Sequence, residues 1–426
     1  MLGPVARAAP TARSLSERSE SNRSVPRHPP DATARPVGRR AGADAVVTAC
    51  RVGSLAVRSR WARSPAPPSR PVVERAQRVE TSRAGRRVSR MRTPMAYLRG
   101  ARHPEAFHGR GAGRPFFEGW YVKLVTADRA QRWAVIPGVF RGDGRGGMPV
   151  DEAFVQVLDG VSGRSWYHHY DPADFSASDR RFEVRVGANV FDAQGAVLDL
   201  PQLRGRISYT TALEPWPVTA REPGIMGWYG LVPFMECFHG VVSFGHGLAG
   251  TLEVEGAEVA FDGGRGYIEK DWGQAFPAGY VWLASNHIDT VDDAPTDASL
   301  VASVAIIPWL RGSFRGSIVG LRHSGRLHRW TTYNRSRERS LQIDDDRVRW
   351  SMSGPDGHLE LEAERVRGGL LHAPLRTAMH QRVEETLDAR VMIRHTDAAG
   401  RVLLEGVGAC AGLEVFGDTA RLLALR

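Results

Sequence analysis

Residues 263–273 read GGRGYIEKDWG. In an extended strand alternate side chains point to opposite faces, so Tyr267, Glu269 and Asp271 share one face while Ile268, Lys270 and Trp272 share the other. Two carboxyl groups two residues apart on one face, beside a tyrosine, make a pair in which the ionisation of one raises the pKa of the other. Lys270 stands out for a different reason. The chain writes almost every basic residue as Arg, and its only other Lys is Lys123 in FFEGWYVK (116–123). There Glu118, Trp120 and Val122 face one way, and Phe117, Tyr121 and Lys123 the other. A third dense stretch, GIMGWYGLVPFMECFHG (224–240), is apolar enough to be interior yet carries Glu236 and His239, which need partners if buried. A buried ion pair joining Lys270 to Glu118 or to Glu236 would account for the retained lysine without any chemistry.

Other chemistries lack their residues. Gly142, Gly144 and Gly147 fit the dinucleotide-binding spacing, but the MPVDEAF that follows is no helix start, and the glycines read as a turn. Walker A, HExxH and GxSxG patterns do not occur. His239 and His246 have no carboxylate arrangement suited to a metal, and Cys50, Cys237 and Cys410 have no ligand spacing. No metal and no cofactor are expected. Three cysteines at these positions also argue against a disulfide framework and for a reducing, cytoplasmic compartment.

The elements that must position these residues are mostly strands. Runs such as RWAVIPGVF (132–140) and EAFVQVLDG (152–160) are short, β-like and closed by turn residues. GTLEVEGAEVAFDGG (250–264) reads as a hairpin around Glu255 and Gly256, and RVRWSMSGPDGHLELEAERV (347–366) as another around Pro355 to Gly357. Only LRTAMHQRVEETLDARVMI (375–393) offers a helical stretch, so the body is read as mainly β, a barrel or sandwich with few helices. We divide it into a first β half, 95–225, and a second, 226–426, within one unit.

Residues 1–94 are read as a disordered leader. The first ninety carry 19 Arg against six acidic residues, with Trp61 the only aromatic. It is an over-extended reading frame whose start is Met91 or Met95, a transit-like segment that would direct the chain to a plastid, or a basic tail. Since the whole chain carries +10, residues 91–426 carry −3, which removes the case for nucleic acid as a partner.

FFEGWYVK, MGWYGLVPFMECFHGVVSFGHGLAGTLEVEG and FDGGRGYIEKDWGQAFPAGYVWLASNH, in that order, strongly resemble the tocopherol cyclases of photosynthetic organisms and their bacterial relatives. The similarity is close over about residues 115–290, and GACAGLEVFG (408–417) is similar to the family's ending. The resemblance implies a cofactor-independent isomerase of the intramolecular lyase class, acting in vitamin E biosynthesis. A prenylated (phytyl) benzoquinol would close to a chromanol by alkene protonation and attack of the phenol oxygen. A more distant likeness to carotenoid hydratases of the hydroxyneurosporene synthase type implies a two-part, lipocalin-like β architecture. Hydration of an isoprenoid alkene and non-catalytic isoprenoid binding are the alternatives, and a lipid-borne substrate would bring peripheral membrane contact.

That chemistry assigns roles. An alkene is a poor base, so its proton donor must be a carboxyl held out of water, and Asp271 and Glu269 fit best. Aromatic faces must stabilise the cation, each by about 0.5–2 kcal/mol, and Trp120, Tyr267, Trp272 and Trp282 are the candidates. His239 or Glu236 would accept the phenol proton, with Asn286 or His287 orienting the ring. Lys270, paired with Glu118, would hold the register of the strand.

Overall fold

The computed structural model describes residues 94–425, apart from residues 146, 149, 220 and 221. The leader read over 1–94 therefore lies outside the described residues up to Pro94, which opens the helix Pro94–Arg102. Among the described residues the strands form two antiparallel sheets. One gathers the strands from Phe116–Val125 to Arg265–Gly273, and the other those from Gly279–Ser285 to Val402–Gly417. Most neighbours are consecutive in the chain and joined by short turns, the wiring of up-and-down β architectures. The mainly β architecture in two parts expected from the sequence is present, but the sheets divide between Gly273 and Gly279 rather than at 225/226, because Cys237–Val254 and Arg265–Gly273 pair into the first sheet.

Local chemistry explains the turns. Glu255 and Gly256 close the hairpin between Cys237–Val254 and Ala257–Ala260 with φ of 48° and 89°, the left-handed pair that a two-residue hairpin requires. Pro355 and Asp356 link Arg347–Gly354 to Gly357–Glu364. Of the helix expected over 375–393, residues 375–378 form a turn and the rest is part of the strand Met379–Thr396. Val383, Glu385, Leu387, Ala389, Val391 and Ile393 are buried on alternate positions, with exposed Glu384, Asp388, Arg390 and Met392 between them. The Glu, Arg and Leu content favours a helix locally, but this period of two lets the segment cover a sheet core, and burial overrides propensity.

Alternation also sorts the three largest apolar cores among the described residues. Trp120, Val122, Leu124 and Ile268 pack into a core belonging to the first sheet, and Val281 and Leu283 into one belonging to the second. Tyr121, Tyr267, Tyr280, Trp282 and Ala284, on the opposite faces of these strands, meet in a third core shared by both. Arg265–Gly273 runs between Phe116–Val125 and Cys237–Val254, so Asp271 lies between Gly119 and His239, and Glu269 between Tyr121 and Val241. In the second sheet Trp282 and Glu385 flank Glu414.

The stretch 224–240, expected in the interior, is so only in part: Ile225, Met226, Met235 and Phe238 are buried in the shared core. Gly227–Leu231 forms a 3-10 turn, and Trp228, Leu231 and Phe234 are exposed. Trp228 stacks on Tyr229 at 3.8 Å and meets Trp309 edge-on, so the aromatic residues pack on one another at the surface rather than in a core. Among the described residues no helix is long and apolar enough to cross a membrane.

Candidate active site

The shared face encloses a cavity of about 180 Å³, lined from both sheets. Its first wall carries Tyr121, His239, Glu269 and Asp271. His239 Nδ1 lies 2.9 Å from Asp271 Oδ1, and its Nε2 lies 3.6 Å from Glu269 Oε2. Tyr267, behind Glu269, donates its hydroxyl to Glu269 Oε2 at 2.5 Å. Burial opposes a charged His239, but the Asp271 and Glu269 carboxylates outweigh it and lift the imidazolium to about 9. Glu269 moves the other way from an ordinary carboxyl. Burial pushes it up, His239 pulls it down, Asp271 pushes it up again, and it comes to rest at about 7.

The opposite wall carries Trp282, Tyr280, Glu385 and Glu414. Glu385 and Glu414 face each other across neighbouring strands. Tyr121 donates to Glu385 Oε1 at 2.5 Å, and Tyr280 donates to Glu414 Oε2 at 2.7 Å. Burial, and then the charge of Glu414, holds Glu385 well above the usual carboxylate range, while burial lifts Glu414 to about 7. The Tyr121 and Tyr280 phenols, raised by burial and by these acids, keep their protons. The cavity thus presents carboxyl groups able to hold protons at neutral pH among aromatic rings, with Trp282 edge-on to Tyr121 at 5.4 Å.

Of the residues singled out in the sequence, Glu269, Asp271, His239 and Trp282 come together at the cavity. Tyr267 sits one layer behind. Glu236 does not reach the cavity, and its Oε1 accepts from Arg376 at 2.8 Å. Asn286 donates to the carbonyl of Gly266, and His287 Nδ1 pairs with Asn286 Oδ1, so both fasten the strand that carries Glu269. Trp120 and Trp272 lie on the reverse of that strand and enclose a cation of the protein's own, with Lys270 Nζ 4.6 Å and 5.0 Å from their ring centres. Lys270 lies 2.5 Å from Glu118, both side chains wholly buried, and also reaches Ala106 O and His108. Burial would raise Glu118, but Lys270 and His108 outweigh it and hold the carboxyl below its usual range. The second lysine, Lys123, ties the sheets together by donating to Cys410 O at 3.0 Å.

Sequence reasoning missed Tyr121, Tyr280, Glu385 and Glu414 as site residues. Tyr121, Tyr280 and Glu414 all lie inside the motifs that carry the family resemblance, and strand alternation already puts Tyr121 opposite Trp120. Glu385 was hidden by the helical reading of its segment. His239, Glu269 and Asp271 also offer ligand atoms within 4.8 Å of one another, a donor set that a divalent cation could share.

Fold and site together define a two-sheet β protein with a cavity lined by aromatic and apolar side chains and by Glu269, Asp271, Glu385 and Glu414. The profile of the family described as tocopherol cyclase-like matches residues 185–417, more than half of the chain, and the chain belongs to that family. It is 24% identical over 388 residues to "Tocopherol cyclase, chloroplastic" of Zea mays, covering 76% of this chain and 80% of that one. Among solved structures it is similar to CghA with Sch210972, at 11% identity and a TM-score of 0.45 over 71% of this chain and 89% of that one. It is also similar to kievitone hydratase from Nectria haematococca, at 11% identity and a TM-score of 0.40 over 78% and 94%. Family membership supports an enzyme of the cyclase kind.

Proposed function

We propose that the protein closes a prenylated benzoquinol of the phytyl type to a chromanol, with Glu269 as the proton donor to the alkene. The observation that carries this reading is Glu269 itself, a buried carboxyl that holds its proton to about pH 7 in the wall of an aromatic-lined cavity. Its proton adds to the less substituted alkene carbon, the π electrons forming the C–H bond, and a tertiary cation remains. The faces of Trp282 and Tyr121 stabilise that cation by about 0.5–2 kcal/mol each. A lone pair of the phenol oxygen then forms the C–O bond, and the oxonium proton returns to the Glu269 carboxylate. Atoms and protons balance within the substrate, so the step is an isomerisation and calls for no cofactor.

This assigns different roles to the neighbouring groups from those expected. His239, an imidazolium up to about pH 9, cannot accept the phenol proton in that state. It strengthens Glu269 as an acid, and Asp271 keeps it charged and in place. The Glu385–Glu414 pair, with Tyr121 and Tyr280, offers the quinol head group hydrogen bonds from the far wall. The exposed Trp228, Leu231 and Phe234, next to the cavity-lining Tyr229, support withdrawal of the substrate from a lipid surface.

Incubation of the protein with a phytylated dimethylbenzoquinol, followed by mass spectrometry and product isolation, tests the reading. A chromanol of unchanged mass is expected. A product heavier by one water would replace cyclisation with hydration, and a ligand bound but unchanged would make the cavity a binding site only.

A further inference from the structure

Outside the cavity, the fold gathers three histidines that sequence spacing does not associate. His323 ends the strand Gly312–His323, His328 belongs to Arg326–Thr331, and His395 to Met379–Thr396. All three are buried, and one nitrogen of each lies within 4.8 Å of the others. None of them lines the cavity. We propose that His323, His328 and His395 form a structural site for a late first-row divalent metal, Zn²⁺ foremost, that staples the second sheet at its open seam.

The nitrogen chemistry supports this assignment. His395 Nε2 lies 2.8 Å from the carbonyl of Asp356, which can only accept, so Nε2 carries the proton and Nδ1 presents its lone pair. A backbone carbonyl that fixes the tautomer of a ligating imidazole is the usual outer support of a metal-bound histidine. That Nδ1 lies 2.9 Å from His323 Nε2. Two ligands of a tetrahedral zinc with Zn–N bonds of about 2.0–2.1 Å stand ~3.3 Å apart, so a few tenths of an ångström of side-chain movement suffices. His328 stacks on His323 at 4.5 Å, and its buried Nδ1 has no hydrogen-bond partner. Leaving a buried imidazole nitrogen unmatched is costly without a ligand to receive it. Asp356 Oδ1, 4.0 Å from His328 Nδ1, or a water completes the coordination.

The position gives the metal its task. Among the described residues Arg326–Thr331 ends the second sheet on one side and Arg337–Ile343 on the other, with no ladder between them. Arg329 N and the Trp330 indole of the edge strand donate to Asp356 and Gly357 in the turn beyond that seam, and His395, on the interior strand Met379–Thr396, reaches both His323 and the same turn. Three imidazoles select Zn²⁺, Co²⁺, Ni²⁺ or Cu²⁺ over Mg²⁺ or Ca²⁺, which prefer oxygen ligands.

The test uses the full chain, purified on a tag without histidines and stripped with a chelator. Titration with Zn²⁺ is expected to saturate at one ion per chain at this site and to raise the melting temperature, while Mg²⁺ leaves it unchanged. Co²⁺ is expected to develop the visible absorption of a tetrahedral nitrogen site. His328→Ala removes the ring with the unmatched nitrogen, and is expected to weaken Zn²⁺ at least about 100-fold and abolish the thermal shift; His323→Gln serves equally if that variant does not fold. Asp271→Asn, in the cavity, is expected to leave this binding intact. No saturable Zn²⁺ binding, or binding that survives both histidine changes, overturns the proposal, and its loss in Asp271→Asn would place the ion in the cavity instead.

Discussion

The strand Arg265–Gly273 carries two buried charge systems, one on each face, and they resolve the same problem in opposite ways. Glu118 and Glu269 are both removed from water, and burial pushes both carboxyls toward the neutral form. On the reverse face Lys270 stands 2.5 Å from Glu118, and the acid ends below its usual range. On the cavity face the nearest cation is His239 at 3.6 Å, already shared with Asp271, and Glu269 ends above its usual range. The aromatic residues divide in parallel. Trp120 and Trp272 are occupied by the ammonium of Lys270, whereas Trp282 and Tyr121 face the cavity, where a transient cation could form. Burial raises the stakes on both faces, and the partner decides whether an acid becomes a fixed ion or a proton source.

The sharpest way to break this contrast is Glu269→Gln. A positioned general acid contributes about 10²–10⁴-fold, so turnover of the quinol should fall by that factor while the folded protein still retains ligand. Turnover near the wild-type rate in a folded Glu269→Gln protein would remove Glu269 as donor and pass the role to the Glu385–Glu414 pair. On the reverse face, Lys270→Met leaves Glu118 in the interior without its ammonium. Removing one partner of a buried pair costs about 3–5 kcal/mol, so denaturant unfolding should show a loss of that order. The double variant Glu118→Gln/Lys270→Met should recover part of it. A variant of Lys270 that kept full stability but lost turnover would erase the division of labour between the faces.

The same contrast shows what was legible in the sequence. Strand alternation alone separated Glu269 and Asp271 from Lys270, because side-chain direction in a strand is a local property, and the need of a buried lysine for a partner pointed to Glu118 or Glu236. The hairpins at Glu255–Gly256 and around Pro355 were legible for the same reason, since turn chemistry is written in two or three residues. Glu385 and Glu414 were not. They become cavity residues only because the second sheet folds over the first, and Glu385 sits in a segment whose local propensity points to a helix. Trp120 and Trp272 were misread as cation-binding faces for a substrate because sequence shows that an aromatic face exists but not which cation occupies it. His239 was identified, but its charge depends on how far apart Asp271 and Glu269 stand from it in space.

The smallest effects are in the pH dependence, where the two faces should differ in sign. Glu118 is depressed, so its contribution to stability is present above the usual value of 4.5 and is lost as pH falls through its folded value. Glu269 is raised to about 7, so the fold binds its proton more tightly than the unfolded chain does. Its contribution is therefore complete below about 4.5 and disappears as pH rises through 7. Stability profiles should accordingly flatten on the acid side in Glu118→Gln and between about pH 4.5 and 7 in Glu269→Gln. Activity, which needs the protonated acid, should decline in the wild type as pH passes about 7. Tyr267→Phe then tests the local cause. The Tyr267 hydroxyl, 2.5 Å from Glu269, favours the ionised carboxylate, so its removal should move that decline to higher pH without abolishing turnover. A decline that stayed in place would mean that the proton consumed in the reaction is held elsewhere in the cavity, with Glu385 and Glu414 the groups that burial keeps neutral there.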